Sequence, residues 1–241
     1  MRASLIIFIF SCSQFVLGQH VDRDVFENTL GKEKAYAYNF LEKSFEDFLL
    51  SNYQNKNSLA ERIKSYLTDV RNQYLNWTFN DSLSNATLNL LERTGLRKDI
   101  LLYKSEKYKE RFDFENYLKK DSSNVKIEFV ENYDDFEDIE TPEPDGKDKK
   151  RIKNERQKIM AKLAQPNKNG RFYYALAKAQ TNHQDINAYL LLITEYQINV
   201  SPSLIASGFL DNLSDSELLK WENQLIVIVE VYLNSLLNWK L

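Results

Sequence analysis

An apolar stretch near the C-terminus restricts the possible folds of this chain more than any other sequence feature. Residues 225–231 read Leu-Ile-Val-Ile-Val-Glu-Val. The pattern Ser-Asp-Ser-Glu at residues 214–217 precedes them and is typical of a capping box, whose side chains bind free N–H groups at a helix start. A helix that is apolar on nearly every side must be enclosed by other elements. We therefore expect a helix from Ser214 to Asn238 at the centre of a bundle.

Further helices are predicted from apolar residues that recur every three or four positions. The chain holds only 6 glycines and 4 prolines among 241 residues, so tight turns should be few. Residues 22–53 are expected to form one long helix, and a capping box at residues 58–61 begins a helix that continues to Trp77. The short turn between them predicts an antiparallel hairpin. A third helix is expected over residues 84–94, with Gly95 as a left-handed cap.

The middle of the chain is less regular. Residues 99–120 show a rough helical pattern, residues 125–129 alternate as a strand does, and residues 131–145 are acidic enough for a linker. The pairing partner of the strand stays open. The predicted division is a signal peptide at residues 1–18, an N-terminal helical region at 19–120, an acidic linker at 121–146 and a C-terminal helical bundle at 147–241.

Helical patterns also fill the second half of the chain. A basic helix is predicted over residues 147–163, a turn at 167–170, and helices at 171–180, 185–198 and 202–210. The predicted fold class is therefore all-α. It is a multi-helix bundle or a helical-hairpin array, with one small β element near residues 125–130.

The N-terminus predicts export. Arg2 supplies a positive charge, an apolar run begins at Leu5, and small side chains precede Gln19, the expected first mature residue. The run is shorter than the roughly 20 apolar residues that a membrane-spanning helix needs. Cys12 leaves an alternative open, because the residues before it loosely resemble a lipoprotein cleavage box. We expect a periplasmic or extracellular protein, attached to a membrane only if Cys12 is lipidated.

Glu195, Glu230 and His183 are the candidates for chemistry. Both glutamates interrupt apolar helical segments, and a carboxylate removed from water is costly unless it is paired or protonated. Two such groups facing each other could share a proton or hold a metal ion. The alternative is that each glutamate points outward or pairs with a lysine or arginine. His183 is expected to be an exposed residue in a turn before a helix.

No catalytic residue, metal site or cofactor is predicted. The sequence lacks histidine pairs at zinc-ligand spacing, and its glycines do not cluster into a phosphate-binding loop. The basic helix would suggest nucleic acid in a cytosolic protein, but export argues against that partner. Most aromatic residues follow helical spacing, which favours the core over a sugar-binding surface.

The leading functional hypothesis is an exported, non-catalytic protein that binds another protein or an envelope component. It rests on the absence of catalytic motifs, and it predicts an exposed apolar patch. One alternative is an enzyme or ion-binding protein that uses buried carboxylates at Glu195 and Glu230. Another is a lipid-anchored subunit of an envelope complex. The sequence does not determine the oligomeric state.

Mass spectrometry of the secreted protein tests the predicted cleavage. Signal-peptide removal should leave Gln19 at the N-terminus, because the small side chains that a signal peptidase recognises precede that residue. A diacylated peptide beginning at Cys12 would replace this reading with a lipid anchor. Detection of Met1 in protein recovered outside the cytoplasm would contradict both.

Overall fold

The fold is all-α with short antiparallel strand pairs, as predicted. This computed structural model describes residues 5–6, 20–74, 76–118, 129–130, 164–181, 183–196 and 201–239. Cys12 and the predicted cleavage site, acidic run and basic helix lie outside the described residues. Their assignments stay predictions.

Five helices occupy the described part of the N-terminal region: α1 Arg23–Leu30, α2 Lys32–Asn52, α3 Leu59–Arg71, α4 Asp81–Thr94 and α5 Leu96–Ile100. The prediction of one helix over residues 22–53 is wrong. Gly31 divides it, with a φ of 90° that is favourable only for glycine. The predicted extension of α3 to Trp77 is also wrong, because Gln73 adopts a left-handed φ of 59° just after the helix ends.

Helix caps follow the sequence signals closely. The Ser58 hydroxyl accepts a hydrogen bond from the backbone N–H of Glu61 at 3.2 Å. The carboxylate of Glu61 accepts from Asn57 rather than Ser58, so the expected capping box is only half formed. Gly95 ends α4 in the left-handed conformation, with a φ of 76°, as predicted.

The prediction of helix over residues 99–120 is wrong between Leu101 and Leu118, where the described residues of this segment end. The chain there forms strand β3 and a single 3₁₀ turn at Glu115–Tyr117. The strands pair as β1 Leu5–Ile6 with β4 Phe129–Val130, β2 His20–Val21 with β6 Gln180–Thr181, and β3 Leu101–Tyr103 with β5 Ala164–Pro166. The strand predicted at residues 125–129 thus overlaps β4 only at Phe129.

The C-terminal region contributes α6 Arg171–Ala179, α7 Gln184–Leu191, α8 Pro202–Asn212, α9 Asp215–Leu218, α10 Trp221–Ile226 and α11 Leu233–Asn238. Wider π-helical segments follow α7, at Leu192–Tyr196, and join α10 to α11, at Val227–Tyr232. The capping box at Ser214 is complete. The prediction of one helix from Ser214 to Asn238 is wrong, since a turn at Leu219 separates the short α9 from residues 221–238. We call residues 221–238 the C-terminal helix.

The C-terminal helix lies at the centre of the core, as its apolar composition predicts. Every residue from 225 to 233 is at most 4% exposed. The Tyr232 hydroxyl shares a hydrogen bond of 2.8 Å with the hydroxyl of Ser44 in α2. The Tyr66 hydroxyl of α3 lies 3.2 Å from the hydroxyl of Ser235. Neighbouring helices therefore enclose this helix and also bond to its few polar groups.

The helices pair across the two halves of the sequence. α1 packs on α6, α3 packs chiefly on α8, and α2 packs on α4. The predicted contact between α2 and α3 is present, since the rings of Phe45 in α2 and Tyr66 in α3 lie 5.7 Å apart. However, α2 is not the main neighbour of α3. One continuous hydrophobic core contains residues from both the N-terminal and the C-terminal helices.

The predicted turn at residues 167–170 docks on α5. The backbone N–H of Asn167 donates to the carbonyl of Ile100 at 2.8 Å, and its side-chain amide donates to the carbonyl of Lys98 at 2.7 Å. A Cβ atom on Gly170 would lie 1.9 Å from the carbonyl oxygen of Asp99. Only glycine permits this approach, which sets the start of α6 against α5.

Replacing Gly170 by alanine should therefore destabilise the protein by about 1–3 kcal/mol, the usual range for overpacking. The clash is with backbone, so no side chain can turn away to relieve it. Urea unfolding monitored by circular dichroism measures the change. Gly95→Asn is the control, since nothing lies within 4 Å of its added Cβ and asparagine tolerates the left-handed conformation. Equal midpoints for Gly170→Ala and the wild type would refute the packing argument.

Candidate functional site

Glu230 is the most unusual of the predicted candidates. It lies in the π-helical segment of the C-terminal helix and is only 4% exposed. The Tyr189 hydroxyl of α7 donates a short hydrogen bond to one carboxylate oxygen. The buried Tyr173 hydroxyl of α6 lies near both groups without good hydrogen-bond geometry. The expectation that Glu230 points outward is wrong, because its helix has no outward side at this position.

The electrostatics of this cluster favour a neutral carboxyl. Burial raises the pKa of Glu230, and the interactions with Tyr189 and Tyr173 offset only part of that effect. Burial also raises the pKa of both tyrosines, and ionisation of Glu230 would raise it further, so both hydroxyls stay protonated. No charged side chain of the described residues contributes to the pKa of Glu230. The expected alternative, a lysine or arginine partner, is therefore not found within the described residues.

Glu195 lies in the π-helical segment at Leu192–Tyr196 that follows α7. Its side chain is outside the described part of the structure. The hypothesis that Glu195 and Glu230 share a proton or a metal ion consequently stays a prediction. Across the described ranges, no three His, Cys, Asp or Glu side chains gather closely enough to hold a metal ion.

His183 is buried, at 6% exposure, so the expectation of an exposed turn residue is wrong. Its position before a helix is correct. Its Nδ1 accepts from the backbone N–H of Ile186 at 3.4 Å and caps α7, which requires the proton on Nε2 when the ring is neutral. Nε2 lies 3.3 Å from a carboxylate oxygen of Glu222 in α10. The histidine thus joins two helices.

The carboxylate of Glu222 is held in its charged form. Burial acts to raise its pKa, but the hydrogen bonds from His183 and the backbone outweigh that effect, and the pKa lies below its usual range. Nearby, burial raises the pKa of Asp185, in the first turn of α7. His183 therefore caps the start of α7 and connects that helix to α10 through Glu222.

The aromatic residues that might form a sugar-binding surface belong to the core, as predicted. Phe172 and Tyr173 are fully buried, and the rings of Phe26 and Phe172 lie 5.5 Å apart in an edge-to-face contact. Three half-buried tryptophans pack against the same core: Trp77, Trp221 and Trp239.

An exposed groove is the feature that the sequence reasoning missed. It lies between the first turns of α2 and the last turn of α4 and has a volume of about 570 Å³. Its lining consists of Lys32, Glu33, Tyr36, Leu90, Arg93 and Thr94. Tyr36 is 60% exposed, whereas Leu90 is nearly buried and forms the apolar floor. We call this feature the α2–α4 groove.

A signal for the groove was present in the sequence. Ala37 belongs to the stripe of apolar residues along α2, and its neighbour Tyr36 falls outside that stripe. A large aromatic residue at such a position is expected on the surface of the helix rather than in the core. Its ring contacts that of Phe40 with 6.4 Å between centroids. What the sequence did not reveal is that α4 would end beside this residue and complete a concave surface.

Comparisons with known proteins found no match: no protein-family model, curated protein or solved structure matches this chain. Among the helices of the described residues, none is both long and apolar enough to cross a bilayer. Function must therefore be inferred from the geometry of the sites themselves.

Glu230→Gln should change how stability depends on pH. Because burial raises the pKa of Glu230 in the folded state, its carboxyl favours folding fully at low pH, and this contribution is lost as the pH rises through the folded-state pKa. Glutamine stays neutral throughout. Between pH 4 and pH 8, the melting temperature of the variant should therefore rise relative to that of the wild type. Each kcal/mol of difference in the free energy of unfolding corresponds to about 2–4 °C for a domain of this size.

Thermal unfolding across this pH range measures the effect, with Glu33→Gln as the control. Glu33 is exposed on α2 whereas Glu230 is buried in the core, so the pH profile of this variant should have the same shape as that of the wild type. Parallel profiles for Glu230→Gln and the wild type would disprove a buried, titrating carboxyl. Chelator-sensitive melting in the wild type alone would instead favour the metal-binding hypothesis.

Proposed function

We propose that this protein is an exported, non-catalytic helical protein that binds another macromolecule, either a protein or an envelope component. The observation that carries the proposal is the α2–α4 groove, where Tyr36 is 60% exposed. Tyrosine and arginine are enriched among the residues that dominate binding energy at protein interfaces. The groove presents one of each, Tyr36 and Arg93, around a nearly buried leucine.

The position of Tyr36 supports this proposal. Tyr74 and Tyr117 are exposed as well, but among the exposed aromatic residues of the described ranges Tyr36 is the one that lines the groove. Tyr38, two positions along the same helix, is fully buried, and so are Tyr66 and Tyr173. Tyr36 is neither part of the hydrophobic core nor among the half-buried residues that pack against it. An aromatic ring left in water beside a concave surface is typical of a binding site.

The environment of Glu230 gives less support to the alternative of an enzyme or ion-binding protein. Its carboxyl lies inside the bundle and interacts with the hydroxyl groups of Tyr189 and Tyr173. A catalytic acid or base must come within hydrogen-bond reach of its substrate. Glu230 is at most 4% exposed and therefore acts on the packing of helices rather than on a ligand.

Export remains part of the proposal and rests on the N-terminal sequence. The positive Arg2, the apolar run from Leu5 and the small residues before Gln19 support a cleaved signal peptide. Lipidation of Cys12 is the competing form, in which the same binding protein would be a membrane-anchored subunit.

Affinity capture from the native envelope tests the binding function. A tagged wild-type chain should recover a partner in a fixed ratio under gentle conditions. Tyr36→Ala should reduce that recovery severalfold, because truncating an interface aromatic commonly costs 2 kcal/mol or more, ~30-fold in affinity. Lys43→Ala is the matched control, since Lys43 is exposed on α2 but does not line the groove.

Two results would contradict the proposal. One is recovery of the wild-type chain alone, under conditions that retain known envelope complexes. The other is equal recovery of the partner by Tyr36→Ala and wild type, which would move binding away from the α2–α4 groove. Unfolding curves for each variant exclude loss of fold as the cause.

A further inference from the structure

The charge of the α2–α4 groove restricts what it can bind. Lys32 and Arg93 are exposed on its rim, and neither forms an ion pair with a described residue. Glu33 is the only acidic residue among the residues that line the groove. The side chains of the groove thus carry two positive charges and one negative charge.

Helix dipoles do not reverse this sign. The N-terminal end of α2 brings partial positive charge to the groove, and the C-terminal end of α4 brings partial negative charge. These contributions are each about half an elementary charge and largely cancel here. The excess of one basic side chain therefore decides the net formal charge of the lining, which is positive.

The apolar part of the groove favours a ligand that also carries an apolar group. Leu90 forms the floor at 8% exposure, and the Tyr36 ring forms one wall. The volume of about 570 Å³ lies within the range of about 300–1,000 Å³ of pockets that enclose compact ligands. A short peptide segment with one aromatic or aliphatic side chain fits this space.

We infer that the α2–α4 groove binds an acidic segment of a partner protein, whose apolar side chain packs between Tyr36 and Leu90 while carboxylates on either side pair with Lys32 and Arg93. This inference rests on the proposed function and names the partner class of the same site. The aromatic wall supplies affinity, and the two cations select acidic sequences and steer their approach.

An anionic membrane is the less favourable occupant. Surfaces that bind acidic lipids typically cluster about 4–8 lysines and arginines. The residues that line the groove include only two cations, Lys32 and Arg93, and one acidic residue, Glu33. A concave apolar floor also suits an inserted side chain better than a flat layer of headgroups.

Selection of short random peptides displayed on phage, against the immobilised full chain, tests the inference. We expect enrichment of peptides in which aspartate or glutamate flanks an aromatic or aliphatic residue. The strongest peptide should bind roughly tenfold more weakly to the double variant Lys32→Glu, Arg93→Glu. It should bind ~30-fold more weakly to Tyr36→Ala, the loss expected for an aromatic residue at the centre of an interface. Its affinity should fall as salt is raised, because the contacts with the exposed cations are screened.

Lys43→Glu is the matched control, since it reverses an exposed charge on the same helix outside the groove and should leave the affinity unchanged. Enrichment of basic or uncharged peptides, or no enrichment, overturns the inference. Equal affinity for the groove variants also overturns it, while the proposed function stands if envelope capture succeeds. Groove-dependent binding to phosphatidylserine vesicles without peptide enrichment would replace the partner protein by a membrane.

Discussion

Enclosure of one apolar helix by its neighbours is the constraint on which the rest of this structure depends. The residues from 225 to 233 are at most 4% exposed, and each fully buried aliphatic or aromatic side chain contributes roughly 1.5–3 kcal/mol. Hydrogen bonds connect the same helix to three others: Tyr232 with Ser44 of α2, Ser235 with Tyr66 of α3, and Glu230 with Tyr189 of α7. Apolar burial drives the assembly, and these directional contacts favour one arrangement of the surrounding helices over others.

The polar side chains of the candidate sites are either buried or exposed, and the two kinds have different roles. Glu230 and His183 are enclosed, and each joins its own helix to a neighbour through a hydrogen bond. The two cations of the α2–α4 groove, Lys32 and Arg93, are exposed to solvent. A buried group must satisfy its hydrogen bonds within the fold, whereas an exposed group without an ion pair is available to a ligand. The binding proposal therefore depends on the exposed side chains of the groove.

Local signals in the sequence were reliable where a short segment decides the conformation. The capping box at Ser214 and the left-handed cap at Gly95 both form as predicted. Signals failed where a segment had two acceptable conformations. Gly31 is compatible with a weakened helix or a break, and in the folded protein α1 packs on α6 while α2 packs on α4. His183 likewise contacts Glu222, which is distant in sequence.

The sequence by itself determined the all-α class, the central position of the C-terminal helix and most helix starts, because hydrophobic periodicity and capping act within a few residues. It also singled out Glu230 as a carboxylate in an apolar helix. Only the tertiary structure decided that this carboxylate meets Tyr189, that α3 packs chiefly on α8, and that α4 ends beside Tyr36 to form a groove. Those outcomes join residues far apart in the chain, and they depend on how the helices share one core rather than on any local pattern.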